Sequence, residues 1–256
     1  MALSPSQYAR NLRFELKLSG PVDVMAVAKR LDIMVFEEDL SGFEGCLLRA
    51  NGNVRILVSS SVSYQTRKHF TIAHEFGHFY MPHHQRDIFS CKAEDIASYQ
   101  GNAEQENEAN EFAAEFLLPA NEIEGHLRSS PDMAIIRELS EKYGTSLTAT
   151  AIQVVKTTSE PVTVVLSELG EVRWFVRSKS FPFHIRRGRL HEWTYASDYF
   201  SGKELPEAAQ DVLAIAWCDG VPRDRLIIEE SVAFGHLGMV MSILRIPVDE
   251  TILEEE

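Results

Sequence analysis

Nowhere does the chain hold an uninterrupted apolar run of about 18 residues, the length a helix needs to cross a bilayer, so no membrane-spanning helix is expected. The first residues, Met1 to Lys17, have charges spread through them and no apolar h-region, which predicts no secretory signal. Cysteine is scarce. Cys46, Cys91 and Cys218 are scattered, odd in number and without a Cys-x-x-Cys pair, which argues against a disulfide framework and fits a reducing cytoplasm. Positive charge is also in short supply: 25 Lys and Arg stand against 38 Asp and Glu, a net charge of -13. Sequence-independent nucleic-acid binding needs many phosphate-neutralising cations, so that class is disfavoured, whereas a basic protein partner suits the balance.

What remains is an ordinary globular composition over 256 residues, enough for one large domain or two modest ones. Its organising stretch is Thr71-Ile72-Ala73-His74-Glu75-Phe76-Gly77-His78-Phe79-Tyr80. Residues i and i+4 stack on one face of a helix, so His74 and His78 can aim both imidazoles at a single metal ion. Glu75 follows the first of them, where it can take a proton from water, and the pattern is that of a zinc hydrolase. The bland alternative is a helix with two incidental histidines. Against it, Ile72, Ala73, Phe76, Gly77 and Phe79 predict a helix buried on most sides, and buried imidazoles and a carboxylate need partners that a divalent ion supplies.

A third donor is expected from Glu104 to Pro119. Ala109, Phe112, Ala113, Phe116 and Leu117 follow the helical period, which predicts an amphipathic helix stopped by Pro119. Glu106 and Asn110 lie one turn apart on it. Glu106 would complete a two-His-one-Glu site with a fourth position open for water, Glu108 being the fallback, and Asn110 would hydrogen-bond a ligand imidazole from behind. Glu104, Glu111 and Glu115 are expected on the solvated face.

These segments, Pro21-Val22-Asp23-Val24 with Ala28-Lys29-Arg30-Leu31, Phe70 to His78, and Glu106 with Ala109-Asn110, Phe112-Ala113-Ala114 and Leu117-Leu118-Pro119, together resemble the ImmA/IrrE family of bacterial metallopeptidases. The resemblance is strong from about Pro21 to Pro119 and weaker to about Lys156. It implies Zn2+ as cofactor, His74, His78 and Glu106 as metal ligands and Glu75 as general base. It also implies a helix-turn-helix repressor as substrate, cleaved in a stress, phage or mobile-element response. The chain departs from the family pattern at His69, where an arginine is frequent.

The implied architecture is α+β: a gluzincin-like minimal zinc-peptidase domain over residues 1–120, a helical connector over 121–157 and a C-terminal mixed α/β, GAF-like sensor domain over 161–250. In chain order, Ser4-Pro5 opens a helix to about Lys17, and Asp23 caps a second from Val24 to Leu31. A strand at Ile33 to Phe36 precedes a hairpin, Gly45 to Ala50 and Asn53 to Ser59, turned by Asn51-Gly52. Its outer strand is a candidate for pairing with an extended substrate, or else a plain structural edge. The helix carrying His74 should start near Ser63 to Thr66 and end before Pro82, with His83 and His84 a surface pair.

Gln85 to Asn102 reads as a polar loop in which Cys91 is an ordinary free thiol, although a thiolate there would in principle block the open position of a zinc site. Three short helices follow, Asn121 to Leu127, Asp132 to Tyr143 and Leu147 to Lys156. The turn between Leu139 and Leu147 has a helix-turn-helix cadence, read as packing rather than DNA recognition. Beyond Thr157 to Pro161 come a hairpin (Val162 to Leu166, Val172 to Arg177), a helix at Leu205 to Trp217, strands at Leu226 to Ser231 and Met239 to Ile246, and a frayed acidic tail at Glu254 to Glu256. Arg186, Arg187 and Arg189 form a basic cluster expected to be solvated.

The functional expectation is metal-assisted peptide hydrolysis, with Tyr80, His83, His126 and Arg67 as candidate oxyanion donors. A metal-binding regulator that sequesters a repressor or toxin partner without cutting it, and a direct DNA-binding regulator, are the alternatives.

Overall fold

The computed structural model describes residues 3–86, 88–92, 104–127 and 130–247. Parts of two expectations, the loop beyond residue 92 and the acidic tail, lie outside the described residues. The chain forms two compact units: one holds the residues up to Ile123 together with Glu138–Thr150, the other Glu124–Arg137 together with Ala151 onward.

The first unit opens with α1 (Pro5–Glu15), whose start is fixed by a capping box: Gln7 N donates to Ser4 Oγ and Ser4 N donates to Gln7 Oε1. α2 (Val24–Arg30) is capped by Asp23, which accepts from the amides of Met25 and Ala26. β1 (Ile33–Glu38), β2 (Phe43–Ala50), β3 (Asn53–Ser59) and β4 (Ile88–Lys92) make a sheet in the order β1-β3-β2-β4. Asn51 (φ 51°) and Gly52 (φ 78°) both take the left-handed conformation that a tight β2–β3 hairpin requires. β3 also pairs in parallel with β1, and β2 also pairs antiparallel with β4. Both hairpin strands are therefore interior. This corrects the expectation of an outer hairpin strand open to substrate: among the described residues the edges are β1 and β4.

α3 (Gln65–Tyr80) and α4 (Glu104–Leu117) pack against each other and bury Phe76, Phe112 and Phe116. The closeness of that packing is set by Gly77, where a Cβ would stand 3.2 Å from Ala109 Cα and from Phe112 Cβ and Cγ. Arg13, buried in α1, donates to the carbonyls of Phe116 and Gly20 and to Glu122 Oε1, so it satisfies the C-terminal end of α4 and ties it to α1. Glu115, expected in solvent, is instead buried, with Arg10 Nε at 3.4 Å. After α4 the chain forms α5 (Ala120–Ile123), a 3-10 turn (Glu124–His126), α6 (Met133–Tyr143) and α7 (Leu147–Thr157).

In the second unit, β5 (Val162–Glu168), β6 (Glu171–Arg177), β8 (Gly188–Arg189), β9 (Gln210–Leu213), β11 (Leu226–Phe234) and β12 (Met239–Arg245) form an antiparallel sheet in the order β8-β6-β5-β12-β11-β9. β7 (His184–Ile185) pairs with β10 (Cys218–Asp219). The helix expected at Leu205 to Trp217 does not form. The apolar run instead divides into β9, which pairs with β11, and a 3-10 turn at Ala214–Ala216. A short apolar run reads alike as buried strand or buried helix.

The one helix of the unit's sheet portion among the described residues is α8 (Tyr195–Phe200), which the sequence did not signal and which Thr194 caps through Ser197 N. Arg186 pairs with Asp219 at 2.7 Å, and Arg187 lies over the Phe175 ring. Both units are α+β.

Candidate metal centre

α3 carries His74 and His78 one turn apart, with ring centroids 4.8 Å apart and both side chains fully buried. Their Nε2 atoms approach to 3.1 Å. From α4, Glu106 places Oε2 3.0 Å from His74 Nε2 and 3.5 Å from His78 Nε2. The structure thus brings together the three residues singled out as donors. It does not bring Glu108 among them: that carboxylate lies 2.8 Å from both His83 Nε2 and His84 Nε2.

The hydrogen bonds behind the rings decide which way their lone pairs point. His74 Nδ1 lies 3.0 Å from Asn110 Oδ1, an atom that only accepts, so Nδ1–H donates and Nε2 of the neutral ring is left bare. His84 Nε2–H donates to Glu108, which leaves His84 Nδ1 to accept from His78 Nδ1–H at 2.8 Å. His78 Nε2 is therefore bare as well. In those neutral tautomers two ring lone pairs and a carboxylate oxygen face one another, the kind of donor set a divalent cation takes. Burial holds His78 down to about 3; burial alone would raise Glu106, but the neighbouring His74 and His78 more than offset it and hold its carboxyl well below the usual range.

Glu75 reaches toward β2, its carboxylate against Gly45 and next to Cys91, the strand neighbour of Gly45. Both its carboxylate oxygens are buried and without a hydrogen-bond partner. Room for it exists because residue 45 is glycine: a Cβ there would fall 2.7 Å from Glu75 Oε1 and 2.5 Å from Thr71 Cγ2. Burial, with a contribution from Glu106, pushes its carboxyl up to about 7, against the lowering influence of His74 and Cys91.

Two residues of the centre depart from the sequence expectation. His84 is not a surface residue; it is 1% exposed and holds His78 from behind. Cys91 is not on a loop. It lies in β4, paired with Gly45 in register, fully buried, with Sγ 3.7 Å from His78 Nε2. Its thiol is driven far above the ordinary value by burial and by the Glu75 and Glu106 carboxylates. The sequence did carry a signal for it: in Ile88-Phe89-Ser90-Cys91, apolar Phe89 and Cys91 alternate with positions that the structure exposes. Phe89 itself stacks on His78, with ring centroids at 4.1 Å. His74, His78, Cys91 and Glu106 offer donor atoms all within 4.8 Å of one another.

Of the candidate oxyanion donors, Tyr80 donates to Glu15, Arg67 pairs with Glu44 and His83 with Glu108, so each engages a carboxylate other than Glu106. His126 is exposed in the 3-10 turn. His69, at the departure from the family pattern, lies 2.9 Å from Gln65 Nε2. Among the described residues no helix is long and apolar enough to cross a membrane. Residues 28–154 match the peptidase family model described as the IrrE N-terminal-like domain. No curated protein matches the chain.

Proposed function

Through residues 28–154 the chain belongs to the ImmA/IrrE metallopeptidase family, and from that premise we propose that it is a zinc-dependent endopeptidase that cleaves a helix-turn-helix transcriptional repressor. The observation that carries this reading is the convergence of His74 Nε2, His78 Nε2 and Glu106 Oε2 within 3.0–3.5 Å, lone pairs inward. Those three residues would hold the ion. The nitrogen and oxygen donor set, with a thiol beside it, suits zinc rather than magnesium or calcium. When bound, the ion would polarise the scissile carbonyl and bring the pKa of a water towards about 7.

The chain's own residues do the rest. Glu75, one position after His74, serves as general base, takes the proton of the attacking water and passes it to the leaving amine. Asn110 and the His84–Glu108 pair hold the two imidazoles in the tautomer that leaves Nε2 free. β4, which pairs only with β2 among the described residues, offers a strand edge to an extended substrate segment. The C-terminal antiparallel sheet is read as a GAF-like sensor module. The functional division is a peptidase domain at 1–120, a connector at 121–157 and a sensor at 161–250, in a protein of the cytoplasm that acts in a stress, phage or mobile-element response.

The test is incubation of the purified protein with the repressor encoded beside it, with and without chelator, followed by fragment masses. Cleavage abolished by chelator is expected. An uncut repressor at full metal loading overturns the reading. One observation favours a second reading, a metal-binding regulator that sequesters a repressor or toxin partner intact: both Glu75 oxygens are shut away from solvent. An uncut partner recovered in a tight, zinc-independent complex would establish that alternative.

A further inference from the structure

A cation held by His74, His78 and Glu106 has a fourth neighbour already in place. Cys91 Sγ lies 3.7 Å from His78 Nε2 and within 4.8 Å of the donor atoms of His74 and Glu106. Around a tetrahedral zinc ion, with about 2.0–2.1 Å to nitrogen or oxygen and about 2.3 Å to sulfur, donor atoms stand about 3.3–3.6 Å apart. The observed separations of 3.0, 3.1, 3.5 and 3.7 Å (His74–Glu106, His74–His78, His78–Glu106 and Cys91–His78) bracket that range.

A buried cysteine is ordinarily a small apolar side chain among apolar neighbours. This one sits among two carboxylates and two imidazoles. A second observation points the same way. Glu75, the residue that has to meet water, has both oxygens buried and unpartnered, and Cys91 is the strand neighbour of Gly45, against which the Glu75 carboxylate rests.

We propose that Cys91 is the fourth donor to the cation, and that the structure is a latent state of the peptidase in which a thiolate stands where water must enter. This rests on the metallopeptidase reading. Catalytic zinc sites keep one position open, and four protein donors close it. The step is a ligand exchange without electron transfer: the thiol releases one proton to solvent as sulfur joins the ion, and takes one back when it leaves. Withdrawal is local, because among the described residues β4 pairs with β2 alone.

X-ray absorption at the zinc edge of the full-length wild-type protein is expected to show one sulfur scatterer at about 2.3 Å. A shell of nitrogen and oxygen only overturns the assignment, whatever the variants do. With cobalt(II) in place of zinc, the wild type should show a thiolate-to-cobalt charge-transfer band that Cys91→Ser loses and Cys46→Ser keeps. A band that persists in Cys91→Ser overturns it too. Cys91→Ala should cleave the repressor several-fold faster than the wild type, and an equal or slower rate overturns the latency. Sulfur bound with no cleavage by either protein removes the peptidase reading and leaves the ligand assignment standing. Cleavage without bound sulfur does the reverse.

Discussion

Each unit of this protein buries a carboxylate, and the two are treated in opposite ways. Glu229, in the second unit, accepts four hydrogen bonds: from Trp217 Nε1 at 2.7 Å, the amides of Ala196 and Tyr195, and the Ser231 hydroxyl. It stitches β11 to α8 and to the turn carrying Trp217. Glu75, in the first unit, accepts none. A buried carboxylate without partners costs several kcal/mol, and a sequence selected for stability alone would not keep it. On the proposed reading the difference separates a structural acid from a functional one: donors saturate the first, and the second is left free to take a proton.

The contrast can be broken by substitution. Glu75→Gln should retain metal while cleavage falls by about 10²–10⁴-fold, because only the proton acceptor is gone. His78→Ala should lose both metal and cleavage. Repressor cleavage and metal content measured on the same preparations decide it, and normal cleavage by the Gln variant would show that Glu75 is no base. Glu229→Ala should leave metal binding intact but destabilise the fold by about 2–4 kcal/mol in a denaturant titration, since four donors lose their acceptor.

A smaller effect is expected at His84→Ala. Without an acceptor behind it, His78 is free to change tautomer, and metal affinity measured by chelator competition should fall by about 10–100-fold. An unchanged affinity would mean that the His84–Glu108 pair only packs.

The smallest effect concerns pH. Burial raises the Glu229 carboxyl above its ordinary value of 4.5, against the lowering pull of its four donors. The folded state therefore holds the proton more tightly than the unfolded chain. Its contribution to stability is complete below about 4.5 and is lost as pH rises through the folded value. Measured against Glu229→Gln, which cannot ionise, the wild type should lose stability over that interval. A difference that is flat with pH would show that the four donors fully compensate burial.

Much of the first unit was legible because its signals are local. The capping residues Ser4 and Asp23, the Asn51-Gly52 turn and the i, i+4 histidines each act within a few residues of themselves. Glu106 was legible through helical period, although its convergence with the histidines depends on how α3 and α4 pack. Cys91 and His84 were missed because their roles are made by neighbours distant along the chain, Gly45 for one and Glu108 for the other. The Leu205–Trp217 region failed for a related reason: its residues form β9 because β11 is there to receive them, and a single-segment pattern cannot show its partner.

Gly77 bears on how the donors meet. With no side chain between the helices, the backbone of Ala109 comes near enough to hold Glu106 close to the imidazoles. A methyl group at that position would press the two helices apart by a few tenths of an ångström. The carbon that residue 77 lacks, outside the donor set, thereby lets a carboxylate from one helix share a site with imidazoles from the other.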